Sequence, residues 1–173
     1  AKKFGLVPIL GVANVLLTGG IVLIGAGGIW FAVKEALIPS LIALALYVSH
    51  RLGKPLVKTM FFNDQLIQVQ KVDEALAASG KQDIFEQELS RATYLIVISF
   101  VISAILNFGF AYYMVTGVPG SAEFNDQIAN MQGVSFVAIL VCCSSLMLYA
   151  MYRLGQQLRT LTGLTWEDIL KSH

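Results

Sequence analysis

Residues 34–62 read KEALIPSLIALALYVSHRLGKPLVKTMFF. No charged side chain lies between Glu35 and His50. The apolar run is bracketed by Lys34 and Glu35 at one end and by His50, Arg51, Lys54 and Lys58 at the other. A helix needs about 20 mostly apolar residues to cross the ~30 Å hydrocarbon core of a bilayer. The stretch therefore predicts a membrane-crossing helix over about 32–52, with charges marking both of its ends. Pro39 has no N–H and presses on the carbonyl of residue 35, which predicts a kink near Glu35. Lys34 and Glu35 are neighbours, and neighbours point about 100° apart on a helix, so a face-to-face pair is not expected. They read instead as boundary markers, or as intramembrane charge lining a cavity. Gly53 and Pro55 predict the end of this helix and a restart in a new direction.

Composition agrees. The chain has 173 residues, 56% hydrophobic and 13% charged, with a mean hydropathy of +0.69. A soluble domain carries about a quarter charged residues. The expected fold class is therefore all-α: a polytopic membrane protein forming a single membrane domain of about four transmembrane helices.

The other three spans follow the same reasoning. The first covers about 5–24, where Asn14 and Thr18 sit four apart and share one helical face. The third covers about 92–115, and in it Ser99, Ser103 and Asn107 form a polar stripe predicted to face other helices. The fourth covers about 134–154 and contains the adjacent Cys142 and Cys143, read as small packing residues. Trp30 and Phe31, in the short link 25–31, suit a membrane–water boundary, as do Tyr112 and Tyr113. Between the second and third spans, 53–91 is a polar loop with apolar residues at helical spacing (Leu66, Val69, Val72, Leu76), predicting amphipathic helices on the membrane surface. The loop 116–133 contains Phe124, Ile128 and Met131, which suit a short interfacial helix. In the tail, 155–173, Thr165 followed by Trp166, Glu167 and Asp168 predicts a capped helix start.

Basic residues sort by side. With four spans, every Lys and Arg of the twelve except Lys34 falls at the N-terminus, in the loop 53–91 or in the tail, with Arg51 and Arg153 counted at the span ends adjoining that loop and that tail. The positive-inside rule makes that side cytoplasmic, with both termini inside. Arg51, Lys54 and Lys58 then form a cytoplasmic basic patch. His50, next to Arg51, is expected among lipid headgroups.

No motif announces a reaction. The sequence has no phosphate-binding loop, no HExxH and no combination of His and Cys with metal-ligand spacing. A net charge of +1 points to no nucleic-acid partner. The expectation is a non-enzymatic protein without cofactor or metal. Its partners are membrane lipids and other inner-membrane proteins, or further copies of itself. The candidate polar positions are Asn14, Thr18, Lys34, Glu35, Ser99, Ser103 and Asn107.

A family resemblance rests on Thr18–Gly19–Gly20, Lys34, Ala43–Leu44–Ala45–Leu46 with Val48–Ser49, Lys54–Pro55–Leu56 and Asn107. On these residues the chain resembles the bacterial intracellular septation protein A family of small multi-span inner-membrane proteins. The resemblance implies a role in septation and maintenance of the cell envelope, with no catalytic residues to carry over. Family members usually have further spans before the one ending in Thr-Gly-Gly, which implies that an N-terminal part precedes this chain. The loop 53–91 is also longer and more acidic than the family's. A subunit of a transporter or lipid-handling complex is the competing expectation.

Overall fold

The structure, a computed structural model, describes residues 6–62 and 67–170, without the side chains of residues 6–10, 13 and 14. Apart from turns and one antiparallel bridge between Ile67 and Leu170, the described residues are helical. They form α1 (Leu6–Leu23), α2 (Ile29–Arg51), α3 (Leu56–Phe61), α4 (Val69–Ser79), α5 (Gln82–Met114), α6 (Ala122–Thr162) and α7 (Trp166–Ile169). Three of them, α2, α5 and α6, are long and apolar enough to cross a membrane. In α5 and α6 only 22% and 11% of the most apolar window is buried within the chain. Leu44, Ile105 and Leu140 are each more than half exposed in mid-helix. A soluble protein does not leave such surface in water. These helices suit lipid.

Two boundaries differ from the sequence reading. Helix α2 begins at Ile29, so the expected link 25–31 is shorter and ends at the positive-φ Gly28. Phe31 lies in the first turn of that helix and is a core residue at 0% exposure. The residues assigned to a separate interfacial helix, Phe124, Ile128 and Met131, belong to the start of α6, which runs unbroken through 41 residues. At about 1.5 Å per residue such a helix outreaches the hydrocarbon core, so it extends past both ends of a span. Gly133, the expected boundary, has no Cβ contact to avoid and does not break the helix.

The chain divides into two compact units. The first comprises residues 1–40 and 102–141. Its core is Phe31, Ala32, Ala111, Val115, Phe124 and Met131, with Phe31 and Phe124 meeting edge to face at 5.5 Å. Gly27 lets the α1–α2 turn touch Pro119, because a Cβ there would lie 2.7 Å from the proline ring. Gln127 closes the α5–α6 turn, its Oε1 accepting from the N–H groups of Thr116 and Gly117 at 2.8 Å each.

The second unit comprises residues 41–101 and 142–173. Helix α2 ends as expected at Gly53, in the left-handed region at φ +71°, and Pro55 caps α3. Helix α4 buries Val72 and Leu76 and exposes Lys71, Asp73 and Glu74. It stops at Gly80, φ +65°. The tail folds back onto α4. Thr165 caps α7 in a reciprocal box with Asp168, Gln68 N–H donates to the Ile169 carbonyl at 2.8 Å, and Lys71 pairs with Asp168 at 2.7 Å. Apolar side chains dominate this docking. Burying Val72, Leu76 and Ile169 stabilises by about 1.5–3 kcal/mol each, against about 0–1 kcal/mol for an exposed ion pair.

Candidate functional site: charges buried among apolar helices

In the first unit, α2 carries Lys34 three residues after Phe31, on the side that also forms the core. The Lys34 side chain is only 5% exposed and that of Glu35 16%. Contrary to the expectation for neighbours, they pair. Lys34 Nζ lies 2.5 Å from Glu35 Oε1. The long lysine stem lets the ammonium swing back over the turn, which Cβ directions alone do not anticipate. Nζ also donates to Thr18 Oγ1 at 2.9 Å and sits 4.8 Å from the centre of the Phe31 ring. A carboxylate, a hydroxyl and an aromatic face thus surround one ammonium.

Thr18, Lys34 and Glu35 therefore come together. Asn14 lies outside the described side chains. The stripe on α5 is buried at Ser99 and Ser103, with Asn107 half-buried. Its hydrogen bonds stay mostly within its own helix: Ser99 Oγ donates to the Ile96 carbonyl at 2.8 Å, and Asn107 Nδ2 to Ser103 O at 2.8 Å. One contact reaches it from another helix, Cys143 Sγ donating to Ser99 O at 3.2 Å. The stripe reads as packing surface more than as a path.

In the second unit the basic patch is divided. Arg51 and Lys54 are exposed, whereas Lys58 pairs with Glu86 of α5 at 2.6 Å. Lys54 and Lys58 line a cavity of about 530 Å³ together with Asp73 and Phe62. His50 is half-buried. Its Nε2 shares a hydrogen bond with Ser90 Oγ at 2.9 Å and its ring meets Tyr94 edge-on at 5.2 Å. Its Nδ1 is buried without a partner among the described residues.

Sequence reasoning missed Glu88. Its side chain is 8% exposed and binds two arginines, Arg91 one turn along α5 and Arg153 Nε on α6 at 3.3 Å. The Glu88–Arg91 spacing of three residues was the only local signal; the partner on α6 is 65 positions away. Also missed was an apolar cavity of about 470 Å³ between α3, α6 and α7, with Phe61, Met151, Leu158, Trp166 and Ile169 in its walls. α7 follows α6 directly in the chain, but α4 and α5 separate α3 from both.

The described residues contain no cluster of His, Cys, Asp and Glu able to hold a metal ion. Neither family models nor curated proteins nor solved structures yield a match to this chain.

Proposed function

We propose that the chain is a non-enzymatic protein of the bacterial inner membrane that works in envelope upkeep and septation by binding other membrane proteins or lipids. In this reading four helices, α1 included, cross the bilayer, and both termini and the amphipathic helices α3 and α4 lie in the cytoplasm. The observation that carries it is the sorting of charge: three long helices with lipid-suited surfaces, and all cations but Lys34 at the ends assigned to one side. The resemblance to the septation protein A family at Thr18–Gly20, Lys34 and Lys54–Pro55 supplies the process. Affinity capture of the tagged chain after mild detergent extraction tests it, with defined inner-membrane partners or lipids expected. A purified chain with an intrinsic turnover of its own sinks the reading.

A second reading, a subunit of a transporter or lipid-handling complex, is favoured by one observation. Lys34 and Glu35 are an ion pair buried beside apolar helix surface, and intramembrane charge is costly and commonly functional. Loss of flux on replacing Lys34 or Asn107 would support it; unchanged flux in both variants discards it.

A further inference from the structure

We propose that the cavity between α3, α6 and α7 holds an acyl chain of an anionic membrane phospholipid, with Arg159 beside the headgroup; this rests on the membrane reading above. The cavity has a volume of about 470 Å³, within the range of about 300–1,000 Å³ typical of small-molecule sites. Its lining is almost wholly apolar side chains, so water gains little by filling it.

Its mouth decides the occupant. Leu148 and Tyr152, both in its wall, are each 64% exposed on α6. They continue the bare apolar surface of a helix long enough to cross a membrane. A chain lying against that surface can therefore turn into the cavity without crossing water. A protein partner would need to displace lipid first.

The far wall is built for the purpose. Trp166 is the first residue of α7, held by the Thr165–Asp168 cap. Its ring lies so close to α6 that a Cβ on Gly155 would stand 2.5 Å from Trp166 Cη2. The Arg159 guanidinium stands over this indole, 5.3 Å from its centre. Its Nε is buried with no hydrogen-bond partner among the described residues. Arg159 thus sits against a residue of the cavity wall, and with no carboxylate paired to it among the described residues it matches a lipid phosphate. An indole that lines the cavity and carries this cation suits the boundary between chain and headgroup.

The chain has only two tryptophans, Trp30 and Trp166, which gives a direct test. The full chain is reconstituted as Trp30→Phe, leaving Trp166, and as Trp166→Phe, leaving Trp30. Quenching is measured in vesicles of phosphatidylglycerol and phosphatidylcholine, with bromine on the acyl chains of one lipid at a time. Trp30, 62% exposed on α2, reports contact with bulk lipid. A tenfold preference of the cavity for the anionic lipid, about 1.4 kcal/mol, brings half-maximal quenching of Trp166 at roughly a tenth of the brominated phosphatidylglycerol that Trp30 needs. Brominated phosphatidylcholine gives a smaller difference, and Arg159→Gln brings the two lipids together. Gly155→Leu, which drives Trp166 off α6, removes the excess quenching.

If Trp30 is quenched and Trp166 only follows the bulk lipid fraction, the cavity proposal falls and the membrane reading stands. Protection of Trp166 that grows with protein concentration would assign the cavity to a second copy and overturn the proposal equally. If neither tryptophan is quenched, both readings fall.

Discussion

Lys34 and Glu35 illustrate how a single pair can be costly and well held at once. Two charges removed from water lose several kcal/mol of hydration each, and their attraction offsets this only when both stay. Replacing Glu35 with Ala strands an ammonium that is 5% exposed, with Thr18 and the Phe31 ring left to it among the described residues. The expected loss is about 3–5 kcal/mol, and Lys34→Met/Glu35→Leu should recover most of it. Thermal unfolding of the three proteins in one detergent checks this; equal stability for all would show that the pair is solvated. Asp168 behaves differently because it is exposed. The hydrogen bond from Lys71, then those from Thr165, hold its carboxyl well below the usual carboxylate range. A group depressed in the folded state stabilises above its unfolded value, about 3.9, and that contribution is lost as pH falls through the folded value. The docking of α7 should therefore be flat from neutral pH down to about 4 and weaken only in stronger acid. Asp168→Asn should loosen α7 at neutral pH, where it removes the charged partner of Lys71, and the difference should close as strong acid protonates Asp168. Hydrogen exchange of residues 165–170 against pH distinguishes the two proteins.

At the scale of elements, local chemistry predicted stops better than continuations. Gly53, Pro55 and Thr165 were readable because each imposes a backbone condition on its own. Gly80 occupies the left-handed region between α4 and α5 with nothing near its missing Cβ. Gly80→Ala should thus cost about 1–2 kcal/mol through backbone strain alone, without disturbing packing. A denaturant midpoint lowered at unchanged slope would show this; an unchanged midpoint would mean that the turn relaxes. Continuity was harder to read. Polar residues at 122–133 looked like a loop, yet α6 passes straight through them, because Phe124 and Met131 bury themselves in the first unit's core. Tertiary packing overrode composition there. The candidate sites divide in the same way. Lys34 and Thr18 could be picked out as polar residues in apolar runs. Glu88 with Arg153, and the cavity walled by Trp166, depend on segments brought together from across the chain.

For the whole molecule, the decisive quantity is the placement of charge relative to the spans. The basic residues are asymmetric however the first helix lies, but the number of spans decides where the N-terminus stands. Helix α1, Leu6–Leu23, is 18 residues long, close to the lower limit of about 17 for a crossing. Three spans would leave the N-terminus on the side opposite the loop 53–91, whereas four put them together. Cysteine labelling separates the cases. In a chain with Cys142→Ser and Cys143→Ser, where serine can keep the donor that Cys143 offers to Ser99, single cysteines are placed at Ala1, Ala78, Ala122 and Thr160. Ala78, Ala122 and Thr160 are exposed. With the positive-inside orientation, an impermeant maleimide should label Ala122→Cys in intact spheroplasts. It should reach Ala78→Cys and Thr160→Cys only after permeabilisation. Ala1→Cys is expected to behave like Ala78→Cys. Labelling of Ala1→Cys in intact spheroplasts would reduce the spans to three. Labelling of Ala78→Cys there would invert the molecule, and with it the cytoplasmic place of the Trp166 cavity, since α7 is tied to α4 through Lys71 and Asp168.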